Sequence, residues 1–135
     1  MTTKSSGFSL IELLVVVAII GIISSIGILT YKGYVSGAKK TSAKNVMQQI
    51  SLAQTEYYSN SGKYFTQECT SGPSVDTSAE IETELFGGGD QISEEVGYEM
   101  CIVSSGTSDT SYTIKAALKG ETSSLELTQN GVWTE

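Results

Sequence analysis

The chain has 135 residues, enough for one domain with a modest core and too few for two, and it contains no His and only two Cys. That excludes Ser-His-Asp and Cys-His nucleophiles and His-ligated metals, and it leaves too few thiolates for a zinc or iron–sulfur site; no catalytic role, metal or other cofactor is expected. Charged residues make up 17%, the formal net charge is −7 and there is no Arg, which argues against nucleic acid as the main partner because phosphate neutralisation needs clustered cations.

From Phe8 to Tyr31 run 24 residues whose single charged side chain is Glu12. As a helix this segment spans about 36 Å, against a hydrocarbon core of about 30 Å, so it is long enough to cross a bilayer. A cleavable secretory signal fits poorly, because the apolar run is long, its basic head is Lys4 alone, and no A-x-A follows. A plain single-span anchor explains the length but not Glu12. A carboxylate at the centre of a spanning helix costs ~2.5 to 3.5 kcal/mol and less toward an interface, and an acid in a first helical turn also meets the positive end of the helix dipole.

The local word is Lys4-Ser5-Ser6-Gly7-Phe8-Ser9-Leu10-Ile11-Glu12-Leu13. A short basic leader ending in Gly, then Phe, then Glu four residues later inside an apolar helix resembles the type IV pilins and their relatives, the pseudopilins of type II secretion. The match runs over residues 4 to about 34. It implies that a prepilin peptidase cuts between Gly7 and Phe8 and methylates the new amine of Phe8. It further implies that Glu12 pairs with the terminal amine of a neighbouring subunit and so sets the axial register of a filament. Many members have Pro where this chain has Leu29; in its place Gly21, Gly27, Gly33 and Gly37 are expected to weaken the helix, each by roughly 1 kcal/mol relative to Ala. The flank after the span (Lys32, Lys39, Lys40) is more basic than the one before it, which by itself would place the following residues inside the cell. The leader word and the cysteines override that reading.

Helical spacing continues past Tyr31. Val35, Ala38, Ser42, Val46, Ile50, Ala53 and Tyr57 recur at steps of three or four, which predicts an amphipathic half with that stripe facing a head domain. The helix should end near Ser59-Asn60-Ser61-Gly62, with Asn60 or Gly62 in the left-handed cap. From Phe8 to Ser59 it would measure about 78 Å, too long for a domain of this size to bury, so lipid or other copies of the chain must cover its first half. Lys39, Lys40 and Lys44 are expected to form a solvated face, with contact to the acidic head of a neighbour as the alternative. Tyr57-Tyr58 and Tyr64-Phe65 should anchor the loop that follows to the helix.

Residues 66–96 should be largely irregular, broken at Thr70-Ser71-Gly72-Pro73-Ser74 and Gly87-Gly88-Gly89-Asp90, with a short helix from Ala79 to Phe86. Asp76, Glu80, Glu82, Glu84 and Asp90 follow no calcium-loop spacing and read as a solvated acidic surface. Strands are predicted at 98–103, 112–118 and 124–128, and Asn130-Gly131 before Val132-Trp133 signals a hairpin. The expected fold is α+β: a long helix packed against a three- or four-stranded antiparallel sheet through Tyr112, Ile114, Ala116, Leu118, Leu125 and Leu127, with Trp133 covering one end. An oxidising compartment favours a Cys69–Cys101 disulfide over two free thiols.

The resulting division is a leader at 1–7, a membrane or filament-core helix half at 8–31, an amphipathic half at 32–60 and a head at 61–135. The resemblance implies a pilin subunit held in the inner membrane with its head in the periplasm, processed by prepilin peptidase, and assembled by inner-membrane pilus machinery into an extracellular homopolymer. Relatives host twitching, adhesion, DNA uptake and electron conduction. The alternatives are a pseudopilin, whose major form is disfavoured by the cysteine pair, and a periplasmic binding module on a single-span anchor.

Overall fold

The computed structural model describes residues 6–92, 96–107, 110–121 and 124–135. Leader residues 1–5, Lys4 among them, and residues 93–95 of the expected irregular stretch lie outside the described residues. The elements run α1 (Leu10–Ser61), α2 (Val75–Phe86), β1 (Tyr98–Ser104), β2 (Tyr112–Leu118), β3 (Ser124–Thr128) and β4 (Trp133–Thr134). The chain divides into two compact units, Met1–Gly37 and Ala38–Glu135.

In the first unit the described residues from Leu10 onward are α1, unbroken across Gly21, Gly27 and Gly33, where a side chain would meet open space rather than another part of the described chain. Ser25 and Thr30 return their hydroxyls to the carbonyls of Ile22 (2.7 Å) and Ile26 (3.3 Å), so neither presents an unpaired polar group to an apolar surrounding.

In the second unit the sheet is an antiparallel meander in the order β1-β2-β3-β4, with Ile102 opposite Ile114, Ala116 opposite Leu125 and Leu127 opposite Trp133. Period-two alternation puts Tyr112, Ile114 and Ala116 on one face, and they pack with Met100, Ile102, Leu125 and Leu127 against Ala43, Val46, Met47 and Ile50 of α1. Leu118 is only half-buried, because it lies at the end of β2, and Trp133 is half-buried against the same core.

The buried stripe of α1 differs from the expected one. Ala43, Val46, Met47, Ile50 and Gln54 are buried, Ala53 and Tyr57 half-buried, and Ala38 and Ser42 exposed. Stepping back three from Val46 lands on apolar Ala43, stepping back four on Ser42, and the sheet selects the first. Gln54 is wholly buried because it behaves as a piece of backbone: its Nε2 donates to the Phe65 carbonyl (2.7 Å) and its Oε1 accepts from the Phe65 N–H (2.9 Å). That clasp fixes the chain as it leaves α1 through Gly62, whose φ of 74° requires the left-handed region. The aromatics do anchor this turn, with Tyr58–Tyr64 and Tyr64–Tyr112 ring centroids 4.6 and 4.8 Å apart and Tyr57 edge-on to Phe65 at 5.9 Å.

α2 begins four residues before the expected Ala79. Ser74 caps it, its Oγ accepting from the Thr77 N–H (3.2 Å) while its own N–H donates to Thr77 Oγ1 (2.9 Å). Thr stands where the sequence signature has Glu or Gln, which is why the start was not legible. The same turn seals the outer edge of β1: the Met100 N–H donates to Ser78 Oγ (2.9 Å), the Thr77 hydroxyl reaches the Met100 carbonyl (2.7 Å), and the Gln67 N–H donates to the Ile102 carbonyl (2.7 Å). At the other end Asn130-Gly131 does turn a hairpin, as a three-residue loop: the Gly131 N–H donates to the Thr128 carbonyl (2.9 Å), the Thr128 N–H donates to the Val132 carbonyl (3.0 Å), and only Gly131 takes a positive φ, 80°.

The lysine face stays partly solvated, as expected, but its ammonium groups also have partners within the chain. Lys40 and Lys44 both bind the Glu135 carboxylate, Lys40 at 2.7 Å, and the Lys39 ammonium lies over Gly97. Hydrogen bonds from Lys40 and then Lys44 hold the Glu135 carboxyl at about 2, below its ordinary 4.5. A depressed folded-state value means the contact contributes fully above pH 4.5 and is lost as pH falls toward 2. Trp133 fluorescence should therefore stay constant from neutral pH down to 4.5 and change below it, and Glu135→Gln should remove that step. A wild-type signal unchanged to pH 2 would contradict the assignment.

Candidate assembly site

Residues 6–9 lead into α1 without helical structure and are exposed, Phe8 to 89%. Among the described residues Gly7 has no group within 4 Å of where a side chain would stand, so on that side the Gly7–Phe8 peptide is open to an approaching protein. Ser9 then caps the helix. Its Oγ accepts from the Glu12 N–H (3.4 Å), and Glu12 Oε2 accepts from both the Ser9 N–H (2.7 Å) and the Ser9 hydroxyl (2.9 Å). This is a capping box, in which two donors left over at the helix start are satisfied reciprocally. The Ser9-x-x-Glu12 spacing before an apolar run is the sequence-level signal for it, one that the charge of Glu12 alone does not give.

The geometry divides the carboxylate. Oε2 takes two bonds, whereas Oε1 takes none among the described residues, and no ion pair among them involves Glu12. Around it, the large apolar residues of α1 from Leu10 to Leu29 are each at least 49% exposed. By length and composition α1 includes a stretch able to cross a membrane, and none of that stretch is buried by the chain itself. The site is thus an apolar cylinder with one anionic oxygen near its start. In a low-dielectric surrounding that charge needs a cation.

Cys69 and Cys101 are disulfide-bonded, with Cα atoms 6.3 Å apart, tying the segment that precedes α2 to the middle of β1, where Cys101 is wholly buried. The acids of α2 do not converge: Glu80 accepts from Gln67 Nε2 (2.7 Å), Glu82 accepts from the Ile92 N–H (2.6 Å), and no group of three potential metal ligands occurs among the described residues.

A helix start of this kind, joined to an α+β head, defines a class of filament-type subunits, and comparison with known proteins agrees. A family model described as the prokaryotic N-terminal methylation motif matches residues 2–28, and one described as "Type IV minor pilin ComP, DNA uptake sequence receptor" matches residues 30–126. The chain belongs to this family of type IV pilins, which are structural proteins. Similar proteins include "Fimbrial protein" of Neisseria meningitidis serogroup B, 37% identical over 82 residues that cover 61% of this chain and 47% of that one. "Type IV major pilin protein PilE1" of Neisseria gonorrhoeae is 36% identical over 72 residues, covering 53% and 44%. "Fimbrial protein EcpC" of Eikenella corrodens is 38% identical over 66 residues, covering 49% and 43%. The chain spans less than half the length of these relatives. No solved structure matches it.

Proposed function

We propose that this pilin is made as a membrane-anchored precursor, cut between Gly7 and Phe8 by a prepilin peptidase that also methylates Phe8, and assembled from the inner membrane into an extracellular homopolymer. Residues 1–7 are the leader, 8–31 the half that passes from lipid to the filament core, 32–60 the half that seats the head, and 61–135 the head, periplasmic before assembly. The observation that carries this reading is the apolar cylinder whose single carboxylate has Oε1 without a partner among the described residues. Cutting at Gly7 creates an ammonium on Phe8. Glu12 Oε1 of one subunit accepts from that ammonium on the next while Oε2 continues to cap its own helix. A misregistered subunit would strand both charges in an apolar core, so the pair fixes the axial step. Because the two surfaces differ, the contact is head-to-tail, and with the axial step that the pair imposes it builds an open helical polymer rather than a ring.

The family description also names a DNA receptor, a role that the charge of the head does not favour. Of eight lysines, Lys40 and Lys44 are taken by Glu135 and Lys115 by Glu126 (3.1 Å), and residues 67–135 hold two lysines against thirteen acids. Mass spectrometry of protein from sheared cell-surface material, paired with electron microscopy, tests the proposal. A chain beginning at methylated Phe8 within long fibres is expected; a chain that retains residues 1–7 and yields no fibres would refute it.

A further inference from the structure

We propose that Glu135 is an electrostatic latch: its carboxylate occupies an anion site formed by the Lys40 and Lys44 ammonium groups, and this contact holds β4 closed against α1. The inference is independent of polymerisation. β4 is two residues long and pairs with β3 only at Glu126↔Thr134 and Leu127↔Trp133, a ladder too short to hold itself. The disulfide cannot restrain it, because Cys101 lies in β1, and the order β1-β2-β3-β4 puts that strand at the opposite edge of the sheet. Beyond the hairpin turn and the Trp133 ring packed on the core, the strand is held at its end. Lys40 and Lys44 stand one turn apart on the same face of α1, and both reach Glu135. The Lys44 ammonium also sits 5.3 Å from the centroid of the Trp133 ring, so one cation engages both the carboxylate and the indole of the same strand.

The charged side chains are between 34% and 46% exposed, so dissolved ions reach them, and the latch is of a kind that salt weakens. Opening it would bare two ammonium groups on α1 and lift the Trp133 ring from the edge of the core, while the buried residues of β1, β2 and β3 stay packed.

Hydrogen exchange on the full chain in detergent micelles tests this, comparing wild type, Glu135→Gln, the Lys40→Gln/Lys44→Gln pair and the triple variant at low and high salt. At low salt, amides in 128–134 should exchange about 3- to 10-fold faster in Glu135→Gln, equally so in the lysine pair, and no faster in the triple variant. High salt should bring wild type toward the variants and leave the variants unmoved. Wild-type rates at 128–134 in Glu135→Gln would overturn the latch. Additive acceleration in the triple variant, or an equal acceleration throughout β1 and β2, would overturn it as well.

Discussion

Glu12→Ala should abolish filament growth while leaving the protein inserted in the membrane and its head folded. In the assembled state proposed here the substitution leaves the Phe8 ammonium of a neighbour without its anion in an apolar core. Removing one member of a buried pair costs about 3–5 kcal/mol, which lowers the constant for adding each subunit by roughly 100-fold to 1,000-fold or more. Insertion moves the other way, since an apolar helix loses an unfavourable carboxylate. Two further variants separate the functions of the two oxygens. Glu12→Gln keeps an acceptor for the Ser9 N–H but carries no charge, and it should fail to assemble as Glu12→Ala does. Ser9→Ala removes the cap, worth about 0.5–2 kcal/mol, but keeps the carboxylate, so it should lower filament yield without eliminating it. Membrane fractionation and the yield of sheared filaments measure both outcomes. Normal filaments from Glu12→Gln would show that the residue serves only as a cap.

Removing the disulfide by Cys69→Ala/Cys101→Ala should cost the head about 3.7 kcal/mol on the chain-entropy estimate for a loop of 32 residues' separation, lowering Tm by roughly 15–30 °C. The loss should be local at first. The bridge anchors the segment before α2 to β1, and the edge of β1 is otherwise closed by Gln67, Thr77 and Ser78, side chains that the same segment and the start of α2 supply. Once the crosslink is gone, residues 69–101 should become protease-sensitive before α1 does. Thermal unfolding with and without reductant, followed by limited proteolysis mapped by mass spectrometry, reads both effects. Equal sensitivity of α1 and of 69–101 would remove the staple from the account.

Features specified within a few residues were legible in the sequence. The apolar run of α1 shows by composition, its end by Gly62, the strands by period-two alternation and the hairpin by Asn130-Gly131. The Gly7-Phe8 word and Glu12 stand out because an isolated acid in an apolar run has few physical explanations. The Ser9–Glu12 cap was equally local and could have been read. Ser74 and Thr77 were harder, because a Thr hydroxyl does the work of a carboxylate there.

Other features were settled by the tertiary structure alone. A 3.6-residue period allows either Ala43 or Ser42 beneath Val46, and only the position of the sheet selects one. Nothing local marks Gln54 for burial; Phe65, 11 residues away, returns its backbone to it. Lys40 and Lys44 read as solvated until the meander brings Glu135 back across separations of 95 and 91 residues. Charge and helical period along a chain carry no information about which distant carboxylate the fold will deliver, so the amino-acid sequence by itself determined the helix, the strands and the acid near the start of α1, while the packing of the sheet against that helix decided which polar side chains became structural.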